Sequence, residues 1–423
     1  MADKADLSGW RRRVVAWALG VKASSLPANI SLSLADPKNW MPGGGSASGK
    51  HVDDETAMKI SAVWACNKIL SEAIGMFPLH MYRKDGSGNS VRVDDHKVAQ
   101  VVGWIPNRDM TSQEFLEAGQ LNLGKRGNAY SLIERRSGEV TSLYPIAANK
   151  VTVSVQDDGS LEYKVSDRGR TEKYPREKIW HVKGMGDGVV GLSVIAAARE
   201  TFGMALAAED FEARFFRNGA QPSAVVSYPG WIPDDKRDQA RDNINRLLGG
   251  GENAHKVHVL EGGMKLEPWG MPLDDAQFLE LRLFGVRDIC RFYGIPPHMV
   301  ADTEAQPRSN LEQTAQEFLD YGLMPWLKRW ENGARRWLLR PTDQDRYFFR
   351  FNVDALLRGD SQARQQFLAS MVQNGIMTRN EARAKENLGR SDEAGMDSHT
   401  VQVNLAPITS LPGTNADPQA QAQ

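Results

Sequence analysis

Two long helix-forming segments separated by an insert constrain the fold of this chain more than any other feature. The first segment starts at Gly191 and runs to about Asn218, and the second runs from Asp274 to Tyr293. At about 1.5 Å per residue, the first helix spans roughly 40 Å. Each helix is therefore long enough to extend beyond a globular body, which places the insert at the far end between them.

Both helical segments are thin and amphipathic. The apolar stripe of the first, among many alanines, consists of Leu192, Ile195, Phe202 and Leu206. The stripe of the second has spacings of four, three, four and three, at Leu279, Leu283, Val286, Cys290 and Tyr293. The second segment opens on an acidic N-cap and stops at Gly294 before two prolines. Thin helices with two usable faces pack well against copies of themselves, so the pattern indicates a stalk within a ring or tube.

The rest of the chain predicts an antiparallel α+β body. A helix near 55–75 precedes strand-like stretches at 77–83, 128–135, 151–156, 161–166 and 178–183. After the stalk come a helix from about 310 to 339, a strand at 347–351 and short helices near 360–373 and 378–387. Pro325 predicts a kink in the first of these helices. Three tryptophans at helical spacing on it are interpreted as core residues: Trp326, Trp330 and Trp337.

Composition limits the classes of function. The 423 residues include 52 Lys plus Arg and 53 Asp plus Glu, for a net charge of −1. Proteins that grip nucleic acid tightly usually show a basic excess. Near-neutrality suits a surface past which DNA slides, and equally suits no DNA contact. Cys66 and Cys290 lie on apolar helical stripes, which predicts small buried side chains and an intracellular setting, without a disulfide framework or a membrane span.

One glycine motif leaves an alternative open. Gly186, Gly188 and Gly191 match G-x-G-x-x-G between a strand and a helix, the context of a dinucleotide-binding fingerprint. Against this interpretation, the preceding strands look antiparallel, and the acidic residues that follow lie inside the long helix. A flexible corner, where the chain leaves the body for the stalk, is the better interpretation of the glycines. A dinucleotide-binding enzyme therefore stays as one alternative, and a monomeric interaction protein as another.

Other motifs favour no chemistry. Residues 44–50 nearly spell a phosphate-binding loop, but His51 stands where a hydroxyl should reach magnesium, so a linker is the better interpretation. His255 and His258 alternate along a strand-like segment, and no third ligand completes a metal site. We find no catalytic constellation, which predicts a protein that is not an enzyme and that needs no cofactor.

Seven short motifs, in order and without large gaps over about residues 55–395, resemble the portal protein family of tailed bacteriophages. They are Ser-Ala-Val-Trp-Ala-Cys (61–66), Gly-Leu-Ser (191–193), Ala-Arg-Phe-Phe-Arg-Asn-Gly-Ala (213–220), Asp-Ala-Gln-Phe-Leu-Glu (275–280), Tyr-Gly-Ile-Pro-Pro-His (293–298), Ser-Asn-Leu-Glu-Gln (309–313) and Phe-Asn-Val-Asp-Ala-Leu-Leu-Arg-Gly-Asp (351–360). The branch it is most similar to serves siphophages with chainmail-type capsids.

The resemblance implies a dodecameric ring at one capsid vertex of the virion, assembled in the host cytoplasm, with double-stranded DNA passing through its channel. It implies that the ring helps to nucleate capsid assembly, docks the large terminase subunit during packaging and later holds the head–tail connector. The major capsid protein is a further implied partner. The energy for DNA movement would come from the terminase. No membrane partner is expected.

The resemblance also implies a division of the chain. It gives an N-terminal arm expected to be flexible (1–52), a wing of antiparallel sheet and helices (53–190 and 311–358), a two-helix stem (191–218 and 273–297), a small α/β clip (219–272), a tunnel loop (298–310), a helical crown (359–395) and a tail expected to be disordered (396–423).

Three groups of residues are the candidate sites. The mapped tunnel loop places Asp302, Thr303, Glu304, Gln306 and Arg308 at the channel. Within the clip, the sequence predicts strands at 221–227, 257–260 and 264–268 and an amphipathic helix at 234–248. This clip helix offers terminase and connector docking through Asp234, Asp235, Arg237, Arg241 and Asn245. One side of the second stem helix offers contacts between subunits through Glu280, Arg287 and Arg291.

Overall fold

The computed structural model describes residues 45–85, 90–217, 224–227, 230, 233–248, 263–268, 275–300, 316–353, 361–386 and 388–399. The chain divides into two compact units, with the boundary between Asn352 and Val353. The first unit contains the sheets, the two stalk helices and the insert. In the second, the described residues form two short helices.

The first unit opens with helices and antiparallel strands. In chain order they are α1 (Asp54–Ala57), α2 (Ser61–Met76), β1 (Leu79–Lys84), β2 (Ser90–Arg92), α3 (Lys97–Gly103), α4 (Ser112–Arg126), β3 (Asn128–Arg136), β4 (Glu139–Ile146), β5 (Val151–Val155), β6 (Leu161–Asp167), β7 (Arg170–Pro175) and β8 (Ile179–Lys183). Local signals fix the helix ends. Thr111 and Glu114 form a capping box at the start of α4, and Gly127, with φ +67°, ends it.

The stalk, the insert and the remainder follow. They are α5 (Val194–Ala197), α6 (Arg199–Arg217), β9 (Ala224–Ser227), α7 (Asp234–Leu248), β10 (Lys265–Pro268), α8 (Asp275–Tyr293), α9 (Met324–Leu338), β11 (Tyr347–Phe351), α10 (Ser361–Gln373) and α11 (Arg379–Lys385). The first stalk helix therefore begins three residues later than expected and is interrupted at Ala198, where ψ is +15°. The second ends at Gly294, as predicted, with φ +67°.

The body is α+β with antiparallel sheets, which confirms the expected fold class. Its three sheets run in the orders β4-β3-β8, β5-β6-β7 and β11-β1-β2, and every pairing in them is antiparallel. Tyr130, Val153 and Tyr163 form one buried cluster between the first two sheets. A second cluster stacks Phe115 of α4 on Trp180 of β8 and sets Trp330 of α9 edge-on against both.

The helix in which Pro325 predicts a kink is irregular in its first part. Residues Phe318–Leu323 form a π-helical segment, and α9 continues from Met324 with Pro325 in its first turn. The start of this helix near 310 lies outside the described residues. The interpretation of three core tryptophans is correct for Trp330, which is fully buried, and wrong for the other two. Trp326 and Trp337 are half-buried because arginine side chains cover their rings.

The two cysteines are buried, as predicted, and they meet. Cys66 of α2 and Cys290 of α8 are both free thiols. The hydrogen bond between the two thiols, together with burial, raises the pKa of the Cys66 thiol. Beside this pair, Asn67 donates a hydrogen bond of 3.0 Å to the Tyr293 hydroxyl. The body-proximal end of α8 is therefore fastened to α2.

Candidate assembly surfaces of the stalk and the insert

The stalk consists of two helices that run in opposite directions. The start of α6 follows α5, which packs on α4, while the end of α8 packs on α2. Further out, Arg282 of α8 donates to Glu212 of α6 at 2.8 Å. Glu209, one turn earlier on α6, is half-buried, and desolvation raises its pKa against the attraction of Arg282. Charge pairing thus joins the two helices along the stalk, more than ten residues from their body ends.

Each stalk helix also exposes large apolar side chains. Met204 and Phe211 on α6 and Leu281 and Phe284 on α8 are between 48% and 57% exposed. On α6, Phe211 lies about 100° around the helix from Glu212, the residue that faces α8. On α8, Phe284 lies two residues beyond Arg282, about 200° around. Most of these apolar side chains therefore lie to the side of the charged contact between the two helices of the chain.

Sequence analysis missed these four residues because they lie off the main apolar stripes. A signal was present in the spacing: Met204 and Phe211 are seven residues apart, and Leu281 and Phe284 three, which puts each pair on one helix face. An amphipathic helix with a second, narrower apolar face is typical of one that is covered on two sides. In the single chain, the side chains on the second face of each helix stay about half exposed.

The predicted contact residues of the second stem helix lie beside this apolar face. Glu280 and Arg291 are exposed, and Arg287 is half-buried. Arg291 pairs with Asp288 within the same helix, and its guanidinium lies 5.7 Å from the ring of Phe284. Arg287 and Arg291 also line a cleft with Tyr321, a residue of the π-helical segment. Part of the predicted charge is therefore already balanced inside the chain.

The insert forms the small α/β unit that the sequence predicts. Strands β9 and β10 pair antiparallel, and the helix between them, α7, has the predicted bounds. The expected strand at 257–260 lies outside the described residues, as do His255 and His258. The two-stranded ribbon is short, and a ribbon of this size is marginal by itself. We infer that this unit relies on contacts beyond its own strands.

Charges on the insert helix pair along the helix. Arg237 contacts Asp234 at 2.9 Å, and Arg241 contacts Asp238 at 3.2 Å. These side chains and Asp235 are exposed. Asn245 lies on the same helix, and its side chain is outside the described part. The structure thus brings the predicted docking charges together as one self-compensated, solvent-facing surface. The predicted channel residues Asp302, Thr303, Glu304, Gln306 and Arg308 all lie outside the described residues.

Residues 45–51 form a turn docked on the stalk, which differs from the expected linker. Lys50 pairs with Asp210 of α6, and the Ala47 amide donates to Glu200 at 2.8 Å. Ser46 packs directly on Gly203. A Cβ atom added to Gly203 would lie 2.1 Å from the Ser46 hydroxyl oxygen. Because these bonds engage the lysine and the loop, the near match to a phosphate-binding motif has a structural explanation.

The glycine motif at 186–191 also has a structural role. Asp187 accepts from the amides of Val189 and Val190 at 2.8 and 2.9 Å. The Gly191 amide donates to the Asn128 side chain at 2.7 Å. A bound pyrophosphate needs such amides free, and it needs a parallel βαβ unit. Here the amides are occupied, β8 lies in an antiparallel sheet, and the helix starts only at Val194.

The buried His181 connects the loop at 186–191 to the sheet through Asn128. His181 of β8 hydrogen-bonds to Asn128 at 2.9 Å and to the Tyr163 hydroxyl at 3.2 Å. Burial holds the pKa of His181 well below its usual range, with Lys183 and Arg176 adding to the effect. The imidazole is therefore neutral at pH 7. Its role is to position Asn128, which bonds both the amide and the carbonyl of Gly191.

Two further findings concern the described residues. No group of three His, Cys, Asp or Glu side chains in the described ranges is placed to hold a metal ion. Among the helices of those ranges, none combines the length and apolar character required to span a bilayer.

A family profile and individual related proteins point to the same family. The profile of the family described as phage portal protein matches residues 61–387. The portal protein of Enterobacteria phage HK97 is 33% identical over 418 residues, which cover 97% of this chain and 96% of that protein. The probable portal protein of Streptomyces phage phiC31 is 32% identical over 396 residues, or 89% of this chain and 85% of the relative.

Solved structures share the fold at lower identity. A chain from the virion of a native gene transfer agent particle matches with TM-score 0.57 and 20% identity, covering 90% of this chain and 99% of that one. An HK97-family phage portal protein from Corynebacterium diphtheriae matches with TM-score 0.56 and 16% identity, covering 74% and 99%. A chain from the neck of the native particle, computed with C12 symmetry, matches with TM-score 0.55 and 20% identity, covering 90% and 100%.

Proposed function

The chain belongs to the phage portal protein family, and we propose that it forms the ring at one vertex of a phage capsid through which double-stranded DNA enters and leaves. The family is a structural, non-enzymatic component of the virion. We propose twelve subunits in the ring, a number supported by the C12 symmetry of the neck to which one fold neighbour belongs. The major capsid protein, the large terminase subunit and the head–tail connector are its proposed partners, with assembly in the host cytoplasm.

The proposal of a ring rests on the two apolar faces of the stalk helices. The Met204 and Phe211 face differs from the Leu281 and Phe284 face, and the side chains of both are about half exposed. A contact between two different surfaces is heterologous, and repeating it generates a closed ring when the rotation closes. We propose that α6 of one subunit packs against α8 of the next. Arg291 and Glu280 then lie at the rim of that contact, where each ion pair adds about 0.2–1 kcal/mol.

Native mass measurement and negative-stain imaging of the purified full chain test the proposal. The expected particle is a ring with a central hole and a mass twelve times that of the 47.0 kDa chain. Particles that remain single chains at micromolar concentration, across low and high salt, would contradict it. A compact dimer without a hole would contradict it as well, because a two-fold contact uses the same surface on both copies.

We propose that the insert docks the terminase and later the connector, through the exposed charges of α7. In the variant Arg237→Glu/Arg241→Glu, rings should form and capsids should assemble but stay empty of DNA. Mixed charge suits a partner that binds and is replaced, since such charges affect encounter and specificity more than residence. The measurement is the amount of DNA packaged per capsid. The control for helix stability exchanges Asp and Arg among positions 234, 237, 238 and 241, which keeps the net charge. Capsids that fill normally and fail only in tail joining would refute the terminase role.

We propose that the tunnel loop at 298–310 lines the channel, as the family resemblance implies. Its mixed, weakly charged composition should contact phosphates weakly. The variant Glu304→Lys/Gln306→Lys should therefore slow or stall packaging while rings stay intact, because each added cation strengthens phosphate binding. The exchange Glu304→Gln/Gln306→Glu keeps net charge and is the matched control. Normal packaging rates in the lysine variant would place the loop away from DNA.

A further inference from the structure

Four arginines lie near Trp337 at the end of α9, and the guanidinium groups of two of them lie over its indole ring. The guanidinium of Arg176 lies 4.1 Å from the ring centroid, and that of Arg336 lies 5.5 Å from it. Arg135 donates to the Trp337 carbonyl oxygen at 2.6 Å, and Arg340 donates to the Ser137 carbonyl at 3.2 Å in the adjoining hairpin. We call this group the Trp337 patch. It brings together β3, the segment before β8 and α9.

Positive charge in the Trp337 patch is largely uncompensated. Arg340 bonds Glu139 at 2.5 Å. Arg135, Arg176 and Arg336 form no salt bridge within the described ranges; their side chains bond backbone carbonyls, the Tyr163 hydroxyl at 3.4 Å and the Gln344 amide oxygen at 3.4 Å. Desolvation and the neighbouring Arg340 lower the pKa of Arg135 against the pull of Glu139. Among the described residues, the four guanidinium groups of the patch therefore share one paired carboxylate, that of Glu139.

The cations of the patch are held in place before any partner arrives. Arg176 and Arg336 are fixed by their position over Trp337, and Arg135 and Arg340 by carbonyl oxygens. Holding a guanidinium in place reduces the side-chain entropy lost on binding. Trp337 is itself half-buried, so part of its surface is open to solvent. Tryptophan and arginine are the residue types most enriched among those that dominate protein interfaces.

We propose that the Trp337 patch docks an acidic segment of a second protein, a binding surface separate from the stalk and the insert. Planar guanidinium forks match carboxylates with two parallel hydrogen bonds, which favours Asp and Glu side chains as ligands. Nucleic acid fits less well. Affinity for a phosphate backbone grows with the number of phosphates neutralised along it, whereas this patch is compact and the chain has a net charge of −1. The inference goes beyond the ring function and does not depend on it.

Binding of a fluorescein-labelled peptide of ten glutamates to the assembled full chain, followed by anisotropy, tests this proposal. In Arg176→Gln/Arg336→Gln the dissociation constant should rise about tenfold or more, because two charge-assisted contacts are lost. The matched control is Arg170→Gln/Arg350→Gln. Arg170 is exposed at the far end of β7, and Arg350 is an exposed arginine that also lies over an aromatic ring, Phe348 at 5.7 Å. The control should bind like the parent protein.

Several results would overturn the proposal. One is unchanged peptide binding in the Arg176 and Arg336 variant, and another is an equal loss in the control. Displacement of the peptide by a duplex oligonucleotide at equal charge concentration would assign the surface to nucleic acid instead. Loss of the ring mass would assign it to contacts between copies. Because Arg176 also bonds Tyr163, the single variant Arg336→Gln keeps the test valid if the double variant misfolds; it should weaken peptide binding and leave thermal unfolding unchanged.

Discussion

Replacing Leu281 and Phe284 by aspartate is expected to convert the assembled protein into single chains of 47.0 kDa. Burial of one such apolar side chain contributes about 1.5–3 kcal/mol. The introduced carboxylates would be buried at every contact of the ring without a partner, which costs more than the lost apolar area. The effect repeats at each subunit, so a modest change per contact becomes complete loss of assembly. Mass photometry at micromolar concentration measures the outcome.

A control variant on the surface of the body distinguishes loss of the stalk contact from a general effect of removing exposed apolar side chains. Trp104 and Ile105, which follow α3, are 67% and 66% exposed, so Trp104→Asp/Ile105→Asp removes a comparable exposed apolar area while leaving the stalk intact. We expect rings from this control. Rings that persist in the Leu281 and Phe284 variant would show that the stalk face lies outside the subunit contact.

Complementation between two variants tests the heterologous geometry directly. A chain with Met204→Asp/Phe211→Asp keeps its α8 face, and a chain with Leu281→Asp/Phe284→Asp keeps its α6 face. Mixed together, the two should form dimers through the one intact contact, and those dimers cannot grow into rings. Formation of dimers by either variant alone would indicate a two-fold contact instead.

The architecture of the stalk and insert followed from sequence because local signals define it. The stop at Gly294, the bounds of α7 and the antiparallel hairpins are set by residues close together in the chain, where periodicity, caps and turns act. The break at Ala198 had no such signal, since neither glycine nor proline is present there. Strand β7 was missed because Arg170–Pro175 is an exposed edge strand with charged side chains and no apolar alternation.

Long-range contacts account for most of what sequence could not supply. The turn at 45–51 has the composition of a linker, and its order depends on Glu200 and Asp210, more than 150 positions away. Trp330 and Trp337 have the same helical signal, yet one lies in the core and the other under Arg176. Whether a helical aromatic residue is covered by apolar groups or by a guanidinium depends on strands elsewhere in the chain.

Gly191→Ala is expected to destabilise the body by about 3 kcal/mol, at the upper end for overpacking. A Cβ at this position would lie 1.9 Å from the Gly127 carbonyl oxygen and 2.8 Å from the Gly184 amide nitrogen. Both are backbone atoms, so relief requires moving the junction of α4, β3 and β8, including the Asn128 bonds to Gly191. Thermal or urea unfolding, measured in the monomeric Leu281 and Phe284 variant, gives the free energy of unfolding without the contribution of assembly.

Gly188→Ala distinguishes close packing from mere flexibility of the loop. Gly188 has φ +88°, and an alanine methyl there would have no heavy atom within 4 Å beyond its chain neighbours, so the substitution meets only backbone strain, about 1–2 kcal/mol. If the glycines were a flexible corner, the two variants would cost the same small amount. If they were a dinucleotide site, Gly191→Ala would abolish cofactor binding with little change in unfolding. A clearly larger loss for Gly191→Ala supports neither of these, because only a fixed backbone contact with Gly127 makes one glycine of the motif far less tolerant than the other.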